Sequence, residues 1–138
     1  MDTTNKKLKH TIAWLDRPEI HDYPAASAYL SLLLDSTIVE KLVKALQTGD
    51  VLGFKAKDIF RAAQLPLLDE HNFHVARDLD KIEQNKSLSP LLLVRDVGRR
   101  HLIIADGYHR LCAVYLHDED ALIPCQITSL TSQDLASL

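Results

Sequence analysis

The order of apolar and amphipathic segments in the second half of the chain most constrains the fold. The short runs VLGF, PLLLVRD, HLIIAD and ALIPCQIT have the length and aliphatic content of buried strands. HVARDLDKIEQNKSLSP and YHRLCAVYLHDED carry apolar residues three and four apart, which indicates helices, and KAKDIFRAAQL predicts a turn or short helix. The order strand, helix, strand, strand, helix, strand therefore predicts a small α/β or α+β unit with a mixed β-sheet.

The first half of the chain predicts a helical hairpin. The segment PAASAYLSLLL starts at Pro24 and carries apolar residues at helical spacing, namely Tyr29, Leu30, Leu33 and Leu34. Asp35, Ser36 and Thr37 form a break with capping chemistry, and Thr37 with Glu40 has capping-box spacing for a second helix that stops at Gly49. The apolar stripes of both helices must bury against the second half or against a second subunit.

We therefore expect one compact domain in three segments. Residues 1–48 form a helical arm packed on a core at residues 49–130, and residues 131–138 form a polar tail. Trp14, the only tryptophan, is expected to anchor the arm on the core. Cys112 and Cys125 lie on apolar faces without a CxxC pattern, so we expect buried structural thiols.

Composition and charge narrow the classes of partner. The 138 residues are 46% hydrophobic and 25% charged, which is typical of a globular domain. The net charge is −3, and the only basic clusters, NKKLKH and RDVGRR, are short. We therefore do not expect the chain to bind nucleic acid, which usually requires a larger basic surface. No apolar run approaches the roughly 18 residues that a membrane span needs, and no signal-peptide pattern is present. We expect a cytoplasmic protein.

The most informative short stretch joins a strand to a helix at ADGYHR. A helix that starts at Gly107 or Tyr108 presents unpaired N–H groups, which favour an anion such as phosphate. Arg110 can clamp phosphate, His109 can move a proton, and Asp106 can accept a proton or contact Mg²⁺. Alternatively, Asp106 is a helix cap, the glycine a turn residue, and His109 and Arg110 are exposed. The pattern alone leaves both interpretations open.

Two other polar clusters are predicted to be solvated loops. DEHNFH contains Asp69, Glu70, His71 and His74 without a recognised metal-ligand spacing. This loop could still face the ADGYHR turn, an arrangement in which a carboxylate serves phosphoryl transfer. LDRPEIHDYPAA contains Asp16, Glu19, His21 and Asp22, and the simpler interpretation is a loop in which Asp22 caps the next helix.

Residues 51–128 resemble the core of the ParB/sulfiredoxin superfamily. The match is most specific in DGYHR, which fits the family's G-x-x-R element, and in the IPCQI strand. The resemblance implies that Gly107, His109 and Arg110, with the backbone of Tyr108, hold nucleotide phosphates. The implied ligand is ATP or CTP with Mg²⁺, and no resident prosthetic group is expected. The helical arm has no counterpart in that core.

Differences from the superfamily pattern indicate which of its branches this chain resembles most. Sulfiredoxins have a catalytic cysteine where this chain has Tyr108, and the partitioning proteins continue into a helix-turn-helix domain that is not found here. DGYHR is similar to the element of the free serine kinases, which also need an upstream acidic base. Glu70 or Asp106 is the predicted base, His109 a further catalytic residue, and Asp106 the possible Mg²⁺ contact.

The expected function is nucleotide binding with phosphoryl transfer to a small hydroxylated substrate. The alternative is a non-catalytic, nucleotide-controlled module that forms a homodimer or partner surface through the N-terminal helices. A ParB-like nuclease is the second alternative, against which the acidic pI of about 6.1 argues.

Overall fold

The computed structural model describes residues 11–136, so the polar head and the NKKLKH cluster lie outside the described residues. Within residues 11–136 the chain forms six helices and four strands. The first half contains α1 (Asp22–Leu30), α2 (Ser36–Thr48), β1 (Leu52–Lys55) and α3 (Ala56–Ala63). The second half contains α4 (Phe73–Glu83), β2 (Leu91–Asp96), β3 (His101–Asp106), α5 (Tyr108–His117), β4 (Leu122–Leu130) and α6 (Ser132–Ala136). The predicted α+β fold is confirmed.

The four strands form one mixed sheet in the order β1-β4-β2-β3. β1 pairs with β4 and β2 pairs with β3 in antiparallel fashion, whereas β2 and β4 run parallel at the centre of the sheet. The β2–β3 register shifts between Leu92 and Leu93, which leaves Leu92 opposite Asp106 at the end of β3. This irregularity lies directly beside the strand-to-helix junction.

Helices cover both faces of the sheet, which explains the uninterrupted apolar runs at residues 91–94 of β2 and 102–105 of β3. Leu91 and Leu93 contribute to a core with α3, α4 and α5, while Leu92 and Val94 contribute to a second core with α1 and α2. Neighbouring strand residues point to opposite faces, so strands covered on both sides need apolar residues at every position. The N-terminal hairpin therefore buries its stripe against the sheet of the same chain.

The arm is also tied to the core ahead of α1. Trp14 forms an isolated parallel bridge with Leu88 and packs against the core on the α5 side. The Leu15 N–H donates to the Leu88 carbonyl at 2.9 Å, and the Leu88 N–H donates to the Ala13 carbonyl at 2.9 Å. The predicted role of Trp14 as an anchor is confirmed.

Several local predictions are corrected. α1 begins at Asp22 and buries Ala26 and Leu30. Tyr29 lies within this helix but is exposed, and Leu33 is exposed beyond the end of the helix. Among the three residues predicted to offer capping chemistry, Asp35 caps α2, since its carboxylate accepts from the Ile38 N–H at 3.1 Å. Thr37 lies inside α2 and is not the cap. The polar tail contains the short helix α6, which was not predicted.

Candidate functional site: a polar pocket at the start of helix α5

The junction between β3 and α5 is shaped by Gly107. Its φ of 112° lies in the left-handed region, and it is the N-terminal flanking residue of α5. A Cβ at this position would lie 2.7 Å from Leu91 Cγ and 2.9 Å from Arg110 Nη2. The space beside the Gly107 Cα is therefore filled by the protein's own Leu91 and Arg110 side chains. Glycine is needed here for backbone conformation and packing.

Arg110 is held between two carboxylates. Its Nη2 donates to Asp106 Oδ2 at 2.6 Å, and its Nη1 lies 3.5 Å from Asp22 Oδ2. Only 14% of the Arg110 side chain is exposed. The interpretation of Arg110 as an exposed residue on the first helical turn is therefore wrong.

Asp22 brings the N-terminal arm into the site. Its Oδ2 accepts from the Ser89 hydroxyl and from the Glu19 N–H, the latter at 3.3 Å. The residue is 5% exposed, and His21 Nε2 lies 3.5 Å from its Oδ1. The prediction that Asp22 caps the next helix from a solvated loop is wrong, because Asp22 is the first residue of α1 and pairs with Arg110.

A polar stripe on α4 faces this network. Its members recur three and four residues apart: His74, Arg77, Asp78 and Lys81. Helix α4 packs against α5, and the His74 and His109 ring centroids are 4.8 Å apart. The stripe, the start of α1, residues 87–89 and residues 106–110 line a cavity of about 250 Å³. We call this cavity the polar pocket.

Asp78 is the carboxylate in the polar pocket without a polar partner. The residue is 6% exposed, and within residues 11–136 no hydrogen bond or ion pair reaches its side chain. Burial raises its pKa, and the charges of Lys81, Arg110 and Arg77 oppose that rise. Burying a carboxylate without a partner lowers the stability of the fold, so such a residue is a candidate for a functional role.

Burial also perturbs two groups of the ADGYHR turn. It raises the pKa of Asp106, an effect that the Arg110 charge opposes. It lowers the pKa of His109, and the neighbouring His74 lowers it further. His109 is therefore favoured as a neutral imidazole near neutral pH, able to donate or accept a proton.

Tyr108 contacts a different segment from the other members of the turn. Its hydroxyl donates to the Pro66 carbonyl in the loop between α3 and α4, and burial is the main cause of its raised pKa. Glu70, the predicted base, lies farther along this loop and is exposed. It is not among the residues that line the polar pocket.

The structure does not favour Asp106 in its predicted role as an Mg²⁺ contact. Asp106 already pairs with Arg110 at 2.6 Å. In the part of the chain that the structure describes, no three His, Cys, Asp or Glu side chains are grouped to hold a metal. If Mg²⁺ takes part, we expect it to arrive with the phosphates of a ligand.

A second, larger cavity of about 500 Å³ lies between α3 and the sheet. It is mainly apolar, with Phe54, Ile59 and Leu93 in its wall, and it shares no lining residue with the polar pocket. We assign the candidate site to the polar pocket because a helix start, a buried free carboxylate and perturbed titratable groups converge there.

Outside residues 106–110, none of the residues that line the polar pocket had been assigned to the site from the sequence, among them Asp22, Arg77, Asp78 and Lys81. The α4 residues carry a readable signal, because a polar stripe at spacings of three and four accompanies the apolar stripe of Val75, Leu79 and Ile82. Asp22 carries no comparable signal, since it reaches Arg110 only through the packing of the arm on the sheet.

Comparison with known proteins gives no relative for this site. No family model, curated protein or solved structure matches the chain. No helix within residues 11–136 is both long and apolar enough to cross a membrane.

Proposed function

We propose that the chain binds the phosphates of a nucleotide in the polar pocket and transfers a phosphoryl group to a small hydroxylated substrate. One observation carries the proposal. The start of α5 opens on the same pocket as Arg77 and Lys81, and neither cation pairs with a carboxylate of residues 11–136. Helix N–H groups together with unpaired cations are the usual components of a phosphate site.

Each positive group in the pocket has a distinct role in this proposal. Arg110 orders the turn, because its charge is shared with Asp106 and Asp22. Arg77 and Lys81 supply the charge that is available to a ligand. The pocket of about 250 Å³ is smaller than typical ligand sites, which suits a phosphate chain with the base lying outside.

The resemblance of residues 51–128 to the ParB/sulfiredoxin superfamily supports the same ligand. In that family the G-x-x-R turn holds nucleotide phosphates, and ATP or CTP with Mg²⁺ is the ligand to test first. His109 lies beside the phosphate position in this assignment, and Asp106 stabilises the turn through Arg110.

Arg77→Gln and Lys81→Gln are each expected to weaken binding of Mg²⁺-ATP or Mg²⁺-CTP about tenfold. A charge-assisted hydrogen bond contributes about 1.5–3 kcal/mol, and tenfold in affinity is about 1.4 kcal/mol. Isothermal titration calorimetry measures the dissociation constants. Lys44→Gln is the matched control, since Lys44 is exposed on α2, across the sheet. If the wild-type protein binds neither Mg²⁺-ATP nor Mg²⁺-CTP, the proposal is contradicted.

The link between the arm and the turn supports a second candidate, a nucleotide-controlled binding module without turnover. Asp22 of α1 contacts Arg110 of α5, so a ligand that moves Arg110 would act on the arm. Leu32 and Leu33 are 84% and 52% exposed just after α1, where a homodimer could form. Nucleotide-dependent dimerisation in analytical ultracentrifugation, without phosphoryl transfer, would support this candidate.

A further inference from the structure

We infer that Asp78 accepts the proton of the substrate hydroxyl during phosphoryl transfer. This inference rests on the proposed function and assigns the base to a residue on α4. Glu70 and Asp106 were the candidates from the sequence. Glu70 is exposed outside the lining of the polar pocket, and Asp106 is engaged by Arg110.

The Asp78 carboxylate is placed where it can interact with a ligand bound in the polar pocket. It lines the polar pocket, is 6% exposed, and has no hydrogen-bonding partner in residues 11–136. Within the same residues, every side-chain oxygen that is fully inaccessible to solvent has a hydrogen-bonding partner. The Asp78 carboxylate oxygens must therefore open into the pocket, where a ligand hydroxyl can reach them.

The surroundings of Asp78 fit a base. Arg77 and Lys81 on α4, with His109 and Arg110 on α5, are the charged and titratable groups that act on it. They oppose the effect of burial, so the carboxylate can be ionised near neutral pH while remaining more basic than an exposed aspartate. Asp22, which is also buried and lines the polar pocket, is less suited, because it pairs with Arg110 and accepts from Ser89.

The reaction balances without a further reactant. The substrate oxygen attacks the terminal phosphorus of a nucleoside triphosphate as its O–H proton passes to Asp78. The bond from that phosphorus to the bridging oxygen breaks, and the nucleoside diphosphate leaves with the electron pair. Asp78 then releases the proton to solvent through the open pocket.

Asp78→Asn tests this role by separating binding from transfer. With γ-³²P-labelled ATP or CTP, Mg²⁺, and L-serine or glycerol as probe alcohols, we expect transfer to fall at least about 100-fold. The calorimetric dissociation constant should change less than about threefold, because the phosphates contact Arg77, Lys81 and the start of α5. Asp80→Asn, the same change at an exposed position of α4, should leave transfer unchanged.

Stability provides a readout that does not depend on activity. Since the pKa of Asp78 is raised by folding, its ionisation opposes folding at neutral pH and ceases to do so as the pH falls below its unfolded value near 3.8. Asp78→Asn should therefore be at least as stable as wild type at pH 7 in thermal unfolding, with the difference shrinking toward acid pH. Marked destabilisation at pH 7 would assign Asp78 a structural role and overturn the inference.

The remaining outcomes separate this inference from the proposed function. Transfer by Asp78→Asn within tenfold of wild type, or parallel loss of binding and transfer, overturns the role of Asp78 as the base. Wild-type protein that binds nucleotide but phosphorylates neither alcohol overturns it too, while phosphate binding stands. Wild-type protein that binds neither nucleotide overturns both.

Discussion

Gly107→Ala is expected to lower the free energy of unfolding by about 2–5 kcal/mol, the first of the two largest effects. A left-handed backbone conformation costs a non-glycine residue about 1–3 kcal/mol, and overpacking costs about the same again. Both apply, since φ is 112° and the new Cβ would lie 2.7 Å from Leu91 Cγ. Urea unfolding followed by circular dichroism measures the change.

Gly53→Ala is the matched control for this substitution. Gly53 lies in β1, and the nearest atoms to an added Cβ belong to Leu122 at 3.9 Å, an ordinary contact. We expect this variant to remain within about 1 kcal/mol of wild type. Equal stabilities of the Gly107 and Gly53 variants would show that the conformation at the start of α5 is not constrained as described.

Arg110→Met is expected to destabilise the fold by about 3–5 kcal/mol at pH 7, the second large effect. Methionine keeps much of the side-chain bulk but leaves Asp106 and Asp22 together in a largely buried site without their cation. Removing one partner of a buried ion pair has this magnitude because the remaining charge is not compensated. Urea unfolding across a range of pH measures the loss.

The pH dependence of that loss identifies its cause. Arg110 lowers the pKa of Asp106, so its removal raises the folded-state pKa further above the unfolded value near 3.8. The destabilisation should be full above the folded-state pKa and should disappear as the pH falls below about 3.8. Arg99→Met is the control, since the Arg99 side chain is 85% exposed and lies 3.9 Å from Asp96. A loss that does not change with pH would indicate missing packing instead of missing charge.

The element types of the second half were predictable because each carries a local periodicity. PLLLVRD and HLIIAD each contain an uninterrupted apolar run, and both become strands covered on two faces. Val75, Leu79 and Ile82 recur at helical spacing and lie on α4. Element boundaries were less predictable, because the end of α1 and the cap of α2 depend on how the hairpin meets the sheet.

The candidate site was predictable only in part. ADGYHR lies at a strand-to-helix junction as expected, and its residues 106–110 line the polar pocket. The position of Glu70 relative to that junction was not predictable, because the path of the loop depends on contacts such as the Tyr108 hydroxyl with the Pro66 carbonyl. Asp22 is more than 80 residues from Arg110 in the chain, so no local pattern connects them.

By itself, the sequence determined the α+β class, the helical hairpin and the polar turn at residues 106–110. These features depend on local spacing, capping and apolar periodicity, which act over a few residues. Only the tertiary structure decided that Asp22, Asp78 and Arg110 share one pocket and that Asp78 is left without a partner. The physical reason is that desolvation and charge pairing depend on which distant segments pack together.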